Sequence, residues 1–289
     1  MIVGEEAHGS LFKALSMLGL GSERVLRVPS DDNGRMRTDL LPTLDDNTIL
    51  CLQAGNVNTG GMDSGKIIEF AKSRGAWVHI DGAFGLWTGA SESKKHLTKG
   101  YDLADSWATD GHKWLNVPYD SGLVICRKGD HLRKAMSMQG DYLDQSGGRV
   151  PYQYTPELSR RARAIDIWAA MRTLGKHGID DLVTRTCRYA EILSFHLRQE
   201  GFQVLNQVET NQVLVSFGAD TFRVINQIQS DGICWCGGTV WKGKPAMRIS
   251  ISGIKTSEND IKKALEAILR AARRRIGVLK GMTRNHWFE

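Results

Sequence analysis

The sequence predicts an α/β protein with a large domain built on a mainly parallel sheet (residues 1–177) and a small α+β domain after it (178–289). Three observations carry this. Short β-branched or apolar runs alternate with segments of helical spacing from Met1 to Cys126. Thr48–Gln53 is apolar nearly throughout, as strands buried on both faces of a parallel sheet are. After Gly178 the texture changes to one long amphipathic helix followed by short strands.

Met1–Gly4 reads as the first strand, and Leu11–Gly19 as a helix with a glycine stop. Glu23–Pro29 suggests a second strand, closed by the turn Asp31-Asp32-Asn33-Gly34. Thr48–Gln53 ends in the polar, glycine-rich run Ala54–Gly61, and Asp63 is placed to cap a helix over 64–74. Trp77–Ile80 is a strand ending on Asp81, before Gly82-Ala83. Ser106–Thr109 is another, ending in Asp110-Gly111 and delivering His112-Lys113. Ser121–Cys126 is the next strand, and 138–157 is a long loop without clean periodicity. A helix runs from Ser159 to Gly175 and a second from Ile179 to Glu200. Strands follow at 203–205, 212–217 and 247–251, and a last helix starts near Ser257 with Glu258 and Asp260 in its first turn.

A chain of 289 residues with 41% hydrophobic and 24% charged residues has an ordinary globular balance. The net charge of +6 is modest, and the basic run Arg270–Arg275 continues a helical pattern, so nucleic-acid binding is not indicated. No apolar run is long enough to span a bilayer. Five scattered cysteines form no disulfide framework, and Cys234-x-Cys236 reads as alternation within a strand rather than half of a zinc site. The cytoplasm is the expected compartment.

Asp81 and Lys113 both stand where strands stop, and open α/β sheets bind ligands at the carboxyl ends of strands. An acid and a lysine so placed suit pyridoxal phosphate, which needs an amine for its aldehyde and a carboxylate for its pyridine nitrogen. Ala83 leaves room for a flat ring. Each residue alone is more simply read as a solvated strand end.

Together, HIDGAFG and DSWATDGHKWLNVPYDSG resemble the core of the group II pyridoxal-phosphate-dependent amino acid decarboxylases. The resemblance extends from His8 to the RISIS segment at 248–252. It implies the type I aspartate aminotransferase fold and decarboxylation of an L-amino acid to the amine. It also implies Lys113 as the Schiff-base lysine, Asp81 as the partner of the pyridine nitrogen and His8 stacked on the ring. Asn56, with Thr59 as the alternative, matches the polar residue facing the ring hydroxyl or substrate carboxylate, and His112 a group that contacts the phosphate or assists proton transfer. Family members carry a proton-donating tyrosine on a loop near 138–157. Tyr152 and Tyr154 are the candidates, then Tyr142. Arg248 stands where aminotransferase relatives hold a substrate carboxylate, a structural salt bridge being the equal alternative.

The resemblance further implies a homodimer and a phosphate-cradling segment ahead of the first strand seen here, so the chain is expected to be the C-terminal portion of a decarboxylase. Two other outcomes stay open: an aldehyde synthase or aminotransferase-like enzyme on the same cofactor, and an inactive remnant that only binds or dimerises.

Overall fold

A computed structural model describes residues 1–138 and 148–276. Two sheets organise it. The first has six strands: β1 (Ile2–Gly4), β2 (Leu26–Val28), β3 (Ile49–Gln53), β4 (Trp77–Asp81), β5 (Ser106–Asp110) and β6 (Gly122–Cys126). Their order is β2-β1-β3-β4-β5-β6, parallel except for the antiparallel β6. Helices α1 (Gly9–Met17) and α2 (Lys66–Ser73) are the crossovers from β1 to β2 and from β3 to β4. The chain first runs outward from β1 to β2 and then returns past β1 to β3, so a topological switch point lies between β1 and β3.

The strands form where the sequence is apolar throughout. Leu50, Leu52, Val78 and Ile80 are fully or almost fully buried and pack with Ile68 and Ala71 of α2. On β4 the alternation places Val78 and Ile80 in this core, and Trp77, His79 and Asp81 on the other face.

The second sheet is antiparallel, with β7 (Gln203–Val204), β8 (Gln212–Ser216), β10 (Lys244–Ser250) and β9 (Gly237–Trp241) side by side. Helices α5 (Thr221–Asp231) and α6 (Glu258–Ile276) pack with it around Val213, Val215, Val224, Ile228, Met247 and Leu265. Between the sheets runs α4 (Arg163–Gln199), interrupted at Gly175, whose φ of 60° and ψ of −173° are non-helical. Both predicted helices are therefore present, separated by a kink where only glycine is comfortable. Among the described residues no helix is long and apolar enough to cross a membrane.

Several local expectations need correction. Asp63 is no helix cap: Gly65 holds that position, while the Asp63 carboxylate is buried and accepts from the backbone N–H groups of Met36 (2.6 Å) and Gln53 (2.7 Å). Cys234 and Cys236 precede β9 instead of alternating within a strand, because Gly232 ends α5 in a left-handed turn and pairing starts only at Gly237. Helix α3 (Gly129–Met136), α5 and β9 were not read from the sequence. Helix α3 buries none of its residues and β9 carries two glycines, so neither shows a strong pattern.

Candidate active site

A cavity of about 310 Å³ opens at the carboxyl ends of the parallel strands. His8 comes from the end of β1, Gln53, Gly55 and Val57 from the end of β3, Asp81 and Ala83 from β4, and His112, Lys113 and Trp114 from the turn after β5. The second sheet contributes Asn211, Gln212, Arg248, Ser250 and Ser252. Residues far apart in sequence meet there because parallel strands end on the same edge.

Lys113 is held from behind. Its Nζ lies 2.8 Å from Asp110 Oδ2, and its side chain is 38% exposed. The backbone of Asp110 is itself fixed: its N–H donates to Ala83 O (2.9 Å) and its carbonyl accepts from the Trp87 indole N–H (3.2 Å). Beyond Lys113, Trp114 is buried against Phe84, Leu182, Val183 and Cys187, and its indole N–H donates to Thr186 Oγ1 at 2.9 Å. The tryptophan after the lysine therefore anchors the turn to α4.

The tautomer of His112 follows from its partners. Ser121 N–H donates to His112 Nδ1 at 3.0 Å, and Ser121 O, which accepts from Gly111 N–H at 2.8 Å, lies 3.0 Å from the same ring nitrogen. Nδ1 is thus the acceptor and Nε2 carries the hydrogen, facing Asp110 Oδ2 at 3.8 Å. The Tyr119 ring lies 4.2 Å from the His112 ring, centroid to centroid, at the cavity wall.

Asp81 remains open to a ligand. Among the described residues its carboxylate takes only the long contact from Ala83 N–H, 3.4 Å, and it lines the cavity. His8 caps α1, Nδ1 accepting from Ser10 N–H at 3.2 Å, and also lines the cavity. The Arg248 guanidinium donates to Val57 O at 3.3 Å, and no carboxylate pairs with it among the described residues, so the salt-bridge alternative is not realised.

Other expected residues are elsewhere. Asn56 is buried below the loop: its amide donates to Glu6 O and Gln53 Oε1, and its oxygen accepts from the N–H groups of Asn58 and Thr59. With donors and acceptor all engaged, it holds the loop's shape and does not line the cavity. Thr59 Oγ1 donates to Asn33 O and is likewise absent from the wall. Tyr152 and Tyr154 lie in a 3-10 turn, Pro151–Tyr154, that packs on α3 away from the cavity. Tyr142 lies outside the described residues.

Sequence reasoning missed Asp110, Tyr119 and the wall given by Asn211, Gln212, Ser250 and Ser252. Asp110 had a readable signal, since a carboxylate three residues before a lysine in a turn is within pairing reach. The others depend on docking of the second sheet.

The donor set fits pyridoxal phosphate. One amine, one unpaired carboxylate, two imidazoles, a small alanine and a guanidinium converge on a cavity of suitable size. Lys113 would hold the aldehyde carbon, Asp81 the pyridine nitrogen and His8 a ring face.

Comparison with known proteins agrees. The pyridoxal-dependent decarboxylase conserved domain matches residues 1–220. The chain is 26% identical to an aromatic-L-amino-acid decarboxylase of Bacillus atrophaeus over 281 residues, 88% of this chain and 58% of that one. It is 28% identical to an aspartate 1-decarboxylase of Aliivibrio fischeri over 225 residues, 72% of this chain and 40% of that one. The crystal structure of Oryza sativa TDC with PLP and tryptamine superposes with a TM-score of 0.83 at 19% identity, covering 94% of this chain and 62% of that one. Mouse CSAD gives 0.82 at 20% identity, covering 94% and 63%. The chain spans about half the length of the curated relatives it matches, 58% and 40% of these two. The shared fold is that of type I pyridoxal-phosphate decarboxylases, and the match over residues 1–220 places the chain in the pyridoxal-dependent decarboxylase family.

Proposed function

We propose that this chain carries the lysine-bearing face of a pyridoxal-phosphate-dependent decarboxylase that converts an L-amino acid to its amine. The observation that carries the reading is the convergence of Lys113 and the open carboxylate of Asp81 on one cavity wall. When bound, pyridoxal phosphate supplies an electron-accepting ring for the bond between Cα and the carboxylate.

The chain's own residues do the rest. Asp81 presents a carboxylate to a ring nitrogen and favours its protonated form. Lys113 presents an amine to the aldehyde and to any proton exchanged at that carbon. Arg248 offers a substrate carboxylate a guanidinium that pairs with no carboxylate among the described residues, and Asn211, Gln212, Ser250 and Ser252 supply a polar wall against the substrate's far end. Residues 1–177 and 178–289 act as two domains, with the cavity lying between their sheets. The relatives' names span aromatic and acidic substrates, and a polar wall favours a substrate with a polar side chain.

A homodimer and a cytoplasmic location complete the reading; the five cysteines are all free thiols, which suits a reducing compartment. The deciding experiment adds pyridoxal phosphate to the purified chain and follows visible absorbance, borohydride fixation and amine formation over an amino acid panel. A band fixed onto Lys113 together with an amine product supports decarboxylation. An aldehyde product, or no band, overturns it.

A further inference from the structure

We infer that Asp110 is a positioning residue for Lys113: it draws the ammonium to the rear of the cavity and holds its proton until an aldehyde ligand arrives. This rests on the decarboxylase reading only for its biological use, because the contact belongs to the chain without any ligand.

The two carboxylates near Lys113 are differently placed. Asp81 lines the cavity and, among the described residues, has only the 3.4 Å contact from Ala83 N–H. Asp110 lies behind the wall and holds Lys113 Nζ at 2.8 Å. Its backbone is held on both sides, by Ala83 O and by the Trp87 indole. Asp110 Oδ2 also faces the Nε2–H edge of His112 at 3.8 Å, and that edge offers no basic nitrogen to compete for the lysine's proton. The other charged or titratable groups lining the cavity are His8, Asp81, Tyr119 and Arg248. None of them pairs with Lys113 among the described residues.

An ammonium is not a nucleophile, so Lys113 must lose one proton before bonding to carbon. In the proposed step a ligand frees Nζ from Asp110, the N–H bond on Nζ breaks and an O–H bond forms on a solvent water, while Asp110 keeps its charge; no other co-reactant is required. The resting pair keeps Lys113 unreactive toward stray carbonyl compounds, and a ligand that competes for Asp110 or for Nζ releases it.

The test is labelling of Lys113 by formaldehyde with cyanoborohydride across a pH series, quantified by mass spectrometry of the peptide carrying it. The parent is compared with Asp110→Asn and Asp110→Glu. Asp110→Asn is expected to raise Lys113 labelling near neutrality about two- to fivefold, the range for a partly exposed ion pair. Asp110→Glu is expected to restore the parent profile, which a purely structural role for Asp110 would not require. Superimposable profiles for parent and Asp110→Asn overturn the proposal. So does an Asp110→Asn increase that Asp110→Glu shares. Labelling needs no cofactor, so failure of the decarboxylase reading would appear separately, as absence of amine product with the Lys113 increase intact.

Discussion

The side-chain amide of Asn116 donates to Ser252 O at 2.7 Å and to Trp114 O at 2.7 Å, and its oxygen accepts from Ile254 N–H at 3.0 Å. One side chain therefore ties the turn that carries Lys113 to the segment leaving β10. Asn116 sits at φ 59°, a left-handed conformation that asparagine tolerates better than most residues.

Replacing Asn116 tests that tie. Asn116→Gly relieves the backbone and removes three hydrogen bonds, whereas Asn116→Ala removes the bonds and adds strain. Both are expected to lower stability, Asn116→Ala by about 1–3 kcal/mol and by more than the glycine variant. Urea denaturation of the three proteins measures the difference.

Asp81→Asn addresses the chemistry without disturbing the fold, because the side chain is the same size and makes one weak internal contact. Pyridoxal phosphate uptake, followed by absorbance, is expected to persist. Amine formation is expected to fall about 100-fold or more, in the range for loss of a single electrostatic stabiliser of the reacting centre. Unchanged turnover would remove Asp81 from the mechanism.

Gly60 is a point of close approach between the loop after β3 and the segment that leads into β8. A Cβ there would stand 2.0 Å from Thr210 Oγ1, and φ is +73°. Gly60→Ala is expected to destabilise by about 2–4 kcal/mol through strain and overpacking. Adding Thr210→Ala relieves the clash but not the backbone cost, so only part of the melting temperature should return.

Asp63 confers a pH dependence on stability. Burial pushes its carboxyl up from 3.8 to about 6, although two backbone N–H groups bond to it. A raised acid pKa means that the folded state binds the proton more tightly than the unfolded chain does. Asp63 therefore makes stability fall as pH rises from about 4 to 6, by about 3 kcal/mol at most, with the full penalty present above that window. Asp63→Asn is expected to flatten the slope in this window, and to lose one backbone hydrogen bond because its NH₂ cannot accept. Denaturation midpoints on either side of the window provide the readout.

Much of the candidate site was legible because its residues follow strands. Asp81 and Lys113 were found from where β-branched runs stop, and the histidine–lysine–tryptophan order distinguished them from ordinary strand-end charges. Asn56 and Asp63 were misjudged for one shared reason. A short polar residue in a loop offers the same letter whether it faces a ligand, caps a helix or bonds buried backbone. Only the surrounding N–H and C=O groups decide which.

The sequence by itself determined the alternation that yields a parallel sheet, the carboxyl-edge placement of the acid and the lysine, and the change of architecture after Gly178. These are local matters of periodicity, turn residues and chain direction. Tertiary structure alone decided that Asp110 rather than Asp81 holds the lysine in the ligand-free chain, that His112 carries its hydrogen on Nε2, and that Arg248 and Ser252 complete the cavity. Those outcomes depend on distances of a few ångströms between elements brought together by docking two sheets, and no spacing along the chain encodes them.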